Sequence, residues 1–375
     1  MQKINNDFYI NCFFKRIVAL TSLVLLLGCG ESEDALDPSQ ETNHFTAGTD
    51  FIYKDSERFT VKGVVYVPGQ PGYLPWEIET LTVLTSDVTA RINTDLKNIK
   101  AMGANTVRFW GAPSHAYQAL KELGGLNILQ TIWLDGSVSD FHNSTFKVNS
   151  KNYIKSVIDR IYNAYEDNNP PIIAFLIGNE LSEASIISTN QAHPEIDSFI
   201  GNYNSASNIN ASEAFLAEMA DYTRTYEIQT YGKSSLISHA NDIRTVHLID
   251  TPFLDFRSQN AYSYAVPYYR PDTLPGSSSG TLFQGWIEEL KEMHPSVPLL
   301  ITETGLSVSP QVADVGPPNY GYGGNTEADQ AMGIIQNLID IQDAGQARLS
   351  SAGFQQYEVS AYSRPNKASQ HNLNY

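Results

Sequence analysis

Cysteine is almost absent from this chain of 375 residues, and its two cysteines, Cys12 and Cys29, lie near the N-terminus. Beyond Cys29 no disulfide can form, so the folded part must be stabilised by its hydrophobic core. Basic residues are scarce too: 24 lysines and arginines stand against 41 aspartates and glutamates, which gives a formal net charge of -17. Such a surface repels a phosphate backbone, so the composition argues against a nucleic-acid partner.

Metal-binding patterns are also missing. The eight histidines form no His-Glu-x-x-His pair and no cluster with cysteine. A metal site therefore has no recognisable set of ligands in this sequence. We expect a protein that works without a metal or another cofactor, and a neutral polymer such as a polysaccharide is compatible with its charge.

The N-terminus has the pattern of an export signal. Lys15 and Arg16 precede the apolar run IVALTSLVLLLG, about a dozen residues, which suits a signal-peptide core better than a membrane-spanning helix. The run ends at Cys29 in a pattern that resembles the lipobox of bacterial lipoproteins, which implies lipidation of Cys29; an ordinary buried cysteine is the alternative. We therefore predict a signal peptide at 1–28, a disordered acidic tether at 29–50, and attachment to a bacterial membrane, with the outer membrane or cell surface as the expected location.

Residues 51–347 alternate between strand-like and helix-like patterns, which predicts one α/β domain of parallel strands joined by helical crossovers. The strand-like runs are RFTVKGVVYVP, NTVRFWG, LNILQTIWLDG, PIIAFLIG, SLISHAND, FLDFRSQNAYSY and PLLITETG. This alternation predicts a (β/α)8 TIM barrel. Its eighth strand is atypical or truncated, because the tail at 348–375 contains only one strand-like piece, FQQYEVSAY.

Two glutamates stand at the ends of buried strands. Glu180 closes the apolar run IIAFLIGNE, and Glu303 closes PLLITE. Barrel enzymes place their chemistry at the C-terminal ends of the strands, so the two carboxyl groups are candidate catalytic groups. The alternative is that each glutamate is a solvated loop residue.

The motifs in this order resemble a retaining glycoside hydrolase of clan A, closest to the barrel domain of family 2. They are FTVKGVVYVP, MGANTVRFWG, GNE, SQNAYSY and ITETG. The resemblance implies glycosidase or transglycosylase activity on a carbohydrate, with Glu180 as acid/base and Glu303 as nucleophile. Retaining enzymes need two such carboxyl groups about 5 Å apart.

The same resemblance implies supporting residues. Arg108 and Tyr262 would hold and orient Glu303, and Asn179 would contact the sugar 2-hydroxyl. Arg108 could instead be a structural ion-pair partner, and Asn179 could only cap its loop.

Three further residues are candidates for sugar contacts. His239 could line the site or be a structural histidine with satisfied hydrogen bonds. Trp110 and Trp133 stand at predicted strand ends, where aromatic rings could stack on sugars; core packing is the alternative for Trp133.

The C-terminal tail departs from the clan, whose members typically carry a tryptophan on the eighth strand. No tryptophan follows Trp286. Either the strand has diverged, or the tail reflects a truncated or frame-shifted reading. The alternative function is therefore a catalytically silent glycan-binding lipoprotein, or a remnant of a glycosidase.

Overall fold

The computed structural model describes residues 44–69, 73, 75–81, 83–242, 245–263, 281–308, 324–349 and 357–360. The predicted signal peptide, Cys29 and residues 30–43 of the predicted tether lie outside these ranges. Within the described ranges, no helix has the length and hydrophobicity needed to cross a membrane.

The secondary structure follows the predicted alternation. The strands are β1 (Phe45–Ala47), β2 (Ile52–Lys54), β3 (Glu57–Phe59), β4 (Lys62–Tyr66), β5 (Thr106–Phe109), β6 (Asn127–Ile132), β7 (Ile172–Asn179), β8 (Ser198–Ile200), β9 (Ser205–Ser207), β10 (Leu236–Asp242), β11 (Arg257–Asn260), β12 (Leu299–Glu303) and β13 (Tyr357–Ser360). The helices are α1 (Pro75–Glu79), α2 (Ser86–Ala101), α3 (Ser114–Leu123), α4 (Ser144–Asn163), α5 (Glu183–Ala192), α6 (Ala211–Tyr231), α7 (Leu282–Met293) and α8 (Glu327–Leu349).

One 8-stranded sheet forms the body of the protein, in the order β12-β11-β10-β7-β6-β5-β4-β13. Each neighbouring pair in this order is parallel. The two strands at the ends of the order, β12 and β13, also lie close to each other. The sheet therefore curves round into a (β/α)8 barrel, which confirms the predicted fold class.

The strands form where the sequence is continuously apolar. All residues of β7, IIAFLIGN, are buried, as expected for a parallel strand that is covered on both faces. Outside the sheet, α2 turns Val88, Ile92, Leu96 and Ile99 inward. Its first turn is capped by Thr85, whose side chain accepts a hydrogen bond from the Val88 N–H, so the crossover starts at a defined residue.

A small antiparallel sheet, β1-β2-β3, covers the N-terminal end of the barrel. Phe45 in β1 is 3% exposed and belongs to the same apolar cluster as Leu236, the first residue of β10. Lys54 in β2 donates to Asn127, the first residue of β6, at 3.0 Å. Because β1 falls inside the range 29–50, ordered structure reaches into the end of the predicted tether.

An insertion follows β7 before the next barrel strand. It contains α5 and the antiparallel pair β8 and β9, with Ser198 opposite Ser207. The helix that follows the insertion is α6, and a capping box between Asn210 and Glu213 fixes its start. The hairpin of β8 and β9 was not predicted, because its residues are mainly polar and lack a regular apolar pattern.

The eighth strand lies inside the strand-like piece of the tail. β13 pairs in parallel with β4, with Tyr357 opposite Lys62 and Ser360 opposite Val65. It occupies the place of the eighth barrel strand in a segment of only four residues. The prediction of an atypical eighth strand fits this short element, and residues 361–375 lie outside the described ranges.

Candidate active site

The two candidate glutamates lie at the C-terminal end of the barrel. Glu180 directly follows β7, and Glu303 is the last residue of β12. These are the fourth and seventh barrel strands, and the β10 and β11 ends lie between them in the sheet. The parallel arrangement therefore brings both carboxyl groups to one mouth, although 122 residues separate them in the sequence (303 minus 180, less one).

Glu303 is buried in a cage of hydrogen-bond donors. Its side chain is 3% exposed and forms a salt bridge with the fully buried Arg108, at 2.8 Å between Nη1 and Oε1. The indole Nε1–H of Trp110 donates to the same oxygen at 3.2 Å. The hydroxyl of Tyr262 donates to Oε2 at 2.6 Å. One cation and two neutral donors thus stabilise the negative charge and fix the plane of the carboxylate.

Arg108 joins several strand ends across the barrel. Its Nη2 donates to Asn179 Oδ1 at 2.7 Å, and its Nη1 donates to the carbonyl of Thr302 at 3.0 Å. Its Nε donates to Thr131 Oγ1 at 3.0 Å. Since Arg108 itself is on the second barrel strand, one guanidinium connects strands three, four and seven around Glu303.

Asn260, the last residue of β11, connects the two glutamates. Its Nδ2 donates to Glu180 Oε1 at 2.8 Å, and its Oδ1 accepts from Arg108 Nη1 at 3.3 Å and from Thr302 Oγ1 at 2.9 Å. Asn260 is 1% exposed, so this bridge lies in a site with little water. A path of hydrogen bonds therefore runs from Glu180 through Asn260 and Arg108 to Glu303.

The backbone at Glu180 has a conformation that is uncommon for a side chain other than glycine. Its φ is 48°, in the left-handed region, and Gly178 two residues earlier has φ 72°. The Glu180 N–H donates to the carbonyl of Ala240 at 3.0 Å, which holds the turn against the neighbouring strand. Strain of this kind persists where surrounding structure enforces it, and such positions cluster at functional sites.

The structure brings most of the predicted site residues together. Arg108, Asn179, Tyr262 and Trp110 are all joined to Glu303 or to its partners by the hydrogen bonds given above. Arg108 is an ion-pair partner of Glu303, as its structural alternative required, whereas the Asn179 side chain accepts hydrogen bonds from Arg108 and Asn260 on other strands. Contact of Asn179 with a sugar hydroxyl stays a prediction.

His239 is separate from this network. It is fully buried, and its Nδ1 lies 2.8 Å from the carbonyl oxygen of Ile177. Burial lowers the pKa of His239 to about 4, so the ring is neutral at pH 7. A side chain with no exposed surface cannot touch a sugar in this structure. Among the described residues the His239 Nε2 has no hydrogen-bond partner, so the expectation of a structural histidine with satisfied hydrogen bonds is met at Nδ1 only.

Asn260, Thr302 and Thr131 were missed by sequence reasoning. Asn260 lies inside the motif SQNAYSY, but its bond to Glu180 depends on how neighbouring strands meet at the barrel mouth. Thr302 and Thr131 carried no comparable signal, since a threonine inside an apolar strand is common.

The two tryptophans of the early strands form a pair at the mouth. The rings of Trp110 and Trp133 are 5.4 Å apart between centroids and tilted by 55°. Trp133 is 41% exposed, so the alternative of core packing is wrong for this residue. Trp110 is half-buried and lies between Trp133 and the Glu303 carboxylate.

Sequence comparisons find relatives for parts of this chain only. No protein-family model matches the sequence. A segment of 145 residues, 38% of this chain and 15% of the relative, is 30% identical to the Formosa agariphila protein named "Putative beta-glucuronidase". A shorter segment of 38 residues, 10% of this chain and 10% of the relative, is 55% identical to the heme chaperone HemW of Escherichia coli.

Solved β-glucuronidases have similar structures. That of Bacteroides uniformis has a TM-score of 0.53 at 13% identity, over 84% of this chain and 32% of that chain. That of Ruminococcus gnavus has a TM-score of 0.52 at 16% identity, over 84% of this chain and 46% of that chain. The chain thus spans less than half of either solved protein. At these identities the likeness shows the fold alone, a (β/α)8 barrel.

Proposed function

We propose that this protein is a retaining β-glycoside hydrolase that acts on a polysaccharide or an oligosaccharide. The observation that carries the proposal is the arrangement of Glu180 and Glu303 at one barrel mouth, linked through Asn260 and Arg108. The β-glucuronidase relatives support the reaction class. β-Glucuronides therefore belong among the first substrates to be tested.

In the first step, Glu303 would act as the nucleophile. Its carboxylate attacks the anomeric carbon while the bond to the leaving oxygen breaks, and a glycosyl ester on Glu303 results. The donors on Glu303 come from Arg108, Trp110 and Tyr262. They leave the carboxylate oriented before the sugar arrives, so little reorganisation is needed during the attack.

Glu180 would act as the acid and then as the base. It gives its proton to the leaving oxygen in the first step, and in the second step it takes a proton from the water that hydrolyses the ester. Unlike Glu303, Glu180 is only half-buried, which suits a group that must reach both the leaving group and water. A sugar hydroxyl in place of that water would give transglycosylation.

The proposal is tested by trapping the ester. Aryl 2-deoxy-2-fluoro-β-glycosides with a dinitrophenyl leaving group would be supplied as glucoside, galactoside, mannoside and glucuronide. We expect one of them to add its glycosyl mass to the peptide that contains Glu303 and to inactivate the enzyme. A label on a different residue, or turnover that survives unchanged in Glu303→Gln, would refute the assignment of the nucleophile.

The acid/base is tested separately. Glu180→Ala should lose about 10²- to 10⁴-fold in kcat on substrates with poor leaving groups and much less on dinitrophenyl glycosides. Azide should restore turnover and give a β-glycosyl azide. Glu183→Ala, which removes an exposed glutamate of the same segment, is the matched control and should behave like the wild type. If the protein binds a glycan but shows neither a covalent label on Glu303 nor turnover of any substrate, the result would instead support a catalytically silent glycan-binding protein.

We also propose that the chain is exported and anchored through lipid on Cys29. Support comes from the apolar run that ends at Cys29 and from the acidic segment after it. Cys29→Ser should move the protein from the membrane fraction to the soluble fraction and abolish incorporation of labelled palmitate. An unchanged distribution would refute the anchor.

A further inference from the structure

We propose that Trp133 and Asp135 form a sugar subsite beside the two glutamates, and that this subsite takes an uncharged pyranose ring of the glycan. The inference rests on the proposed function, because it concerns a ring next to the one that is cleaved. It identifies a second binding site for the glycan and the chemical class of sugar that this site takes.

The exposure of Trp133 is the first observation. Trp133 directly follows β6 and is 41% exposed, whereas Trp286 is fully buried. Exposing so much of a large aromatic ring leaves apolar surface in water, at a free-energy cost that ligand contact would remove. The hydrogens on one face of a pyranose ring form a flat apolar surface of matching size.

The position of Trp133 is the second observation. Its ring is 5.4 Å from that of Trp110, between centroids, and the Trp110 Nε1 is 3.2 Å from Glu303 Oε1. The exposed ring is thus one side chain away from the proposed nucleophile. A glycan that is cleaved at Glu303 would meet Trp133 with a neighbouring ring of the same chain.

The backbone of Trp133 is also anchored by a neighbouring helix. The Tyr153 hydroxyl makes a hydrogen bond with the backbone of Trp133 and donates to both carboxylate oxygens of Glu79 at 3.2 Å. Glu79 is 5% exposed and forms a salt bridge with Arg160. A backbone that is fixed before binding loses little conformational entropy when a ligand arrives.

Charge selects the kind of ring. Asp135, two residues after Trp133, is exposed, and its Oδ1 accepts hydrogen bonds from the Ser137 N–H at 3.0 Å and the Ser137 hydroxyl at 2.6 Å. The segment 133–143, WLDGSVSDFHN, contains a second aspartate and neither lysine nor arginine. A carboxylate here can accept hydrogen bonds from sugar hydroxyls, but it repels a uronate or a sulfate. The subsite therefore favours a neutral sugar, whatever sugar is cleaved.

The test measures contact with Trp133 directly. The wild-type chain would be treated with N-bromosuccinimide, which oxidises exposed tryptophan, with and without neutral β-linked tetrasaccharides of glucose, mannose and galactose. Peptide mass spectrometry would report the oxidation of each tryptophan. We expect at least one neutral tetrasaccharide to protect Trp133, and a glucuronate-containing tetrasaccharide to protect it at least tenfold less well at equal concentration.

Variants supply the second measurement. Trp133→Ala should weaken binding of the protecting tetrasaccharide about 10- to 100-fold in calorimetry, and Trp133→Phe should retain most of the affinity. Ile339→Ala removes an apolar side chain of similar exposure, 44%, on the outer helix α8 and should bind like the wild type. Asp135→Asn should reduce the difference in affinity between neutral and glucuronate-containing tetrasaccharides.

The outcomes separate this inference from the proposed function. Protection of Trp133 without hydrolysis would support the subsite and count against the enzyme. Hydrolysis of aryl glycosides with no protection of Trp133 by any tetrasaccharide would overturn the subsite and leave the enzyme standing. Equal or better protection by the glucuronate-containing ligand would overturn the neutral specificity.

Discussion

Replacing Arg108 by methionine should destabilise the protein more than almost any other single substitution. Arg108 is fully buried, and its side chain pairs with that of Glu303, which is 3% exposed. Removing one partner of a buried ion pair leaves the other charge uncompensated and costs about 3–5 kcal/mol. Asn179 and the Thr302 carbonyl also lose a donor, so the upper part of this range is expected.

A double-mutant cycle tests whether the loss comes from the charge. Glu303→Gln alone should also destabilise, because it leaves the guanidinium buried without a counter-charge. Arg108→Met combined with Glu303→Gln removes both charges, so its loss should fall short of the sum by about 1–3 kcal/mol. Urea unfolding at pH 7, followed by tryptophan fluorescence, gives the free energies of unfolding.

The control is a surface ion pair of the same chain. Lys121 and Glu166 are 3.8 Å apart, and the Glu166 side chain is 96% exposed, so Lys121→Met should cost less than about 1 kcal/mol. If Arg108→Met costs no more than this control, or if the double variant is simply additive, the buried pair does not stabilise the site in the way described.

The other predictions concern residues around the site. Asn260→Ala should lower kcat about tenfold or more, because Glu180 loses the hydrogen bond that orients it. Asn260→Asp should shift the alkaline limb of the pH profile of kcat to higher pH, because it adds a negative charge beside Glu180. Unchanged pH profiles for both variants would contradict the role of Asn260 as a link between the two glutamates. Burial lowers the pKa of His239 to about 4 in the folded protein, whereas the unfolded value is about 6.5. As the pH falls from about 6.5 to 4, the unfolded chain therefore binds a proton that the folded chain does not bind. The free energy of unfolding falls by on the order of 3 kcal/mol across that window, and this contribution is fully present above it. His239→Asn should therefore show a smaller loss of unfolding free energy than the wild type between pH 7 and pH 5, and equal losses would contradict this account. Gly111→Ala should cost about 1–3 kcal/mol and reduce activity, since a Cβ there would lie 2.5 Å from Glu79 Oε2; an unchanged melting temperature would show that Glu79 can move.

The sequence predicted the parts of this fold that depend on continuous apolar runs. The run PIIAFLIG became β7, and PLLITE became β12, because a parallel strand with both faces buried needs such a run. The hairpin of β8 and β9 was missed, because its short, mostly polar strands carry no such signal. Strand β1 was missed for a related reason, since Phe45 and Ala47 are isolated apolar residues in a polar stretch.

The same distinction holds for the site. Glu180 and Glu303 could be found from their positions at strand ends, and Arg108 and Tyr262 from the resemblance. The role of Asn260 could not, because it depends on distances to residues from three other strands. His239 shows the opposite failure: it lies inside β10 and not at the strand's end, and its complete burial could not be predicted because it depends on how the side chain packs.

The left-handed backbone at Glu180 means that the protein holds its proposed acid/base at the expense of its own stability. A φ of 48° costs a residue with a Cβ about 1–2 kcal/mol relative to a relaxed conformation, and glycine avoids most of that cost. Selection for thermal stability alone would therefore favour glycine at position 180. A glutamate at this position would mark chains that are still selected for catalytic turnover.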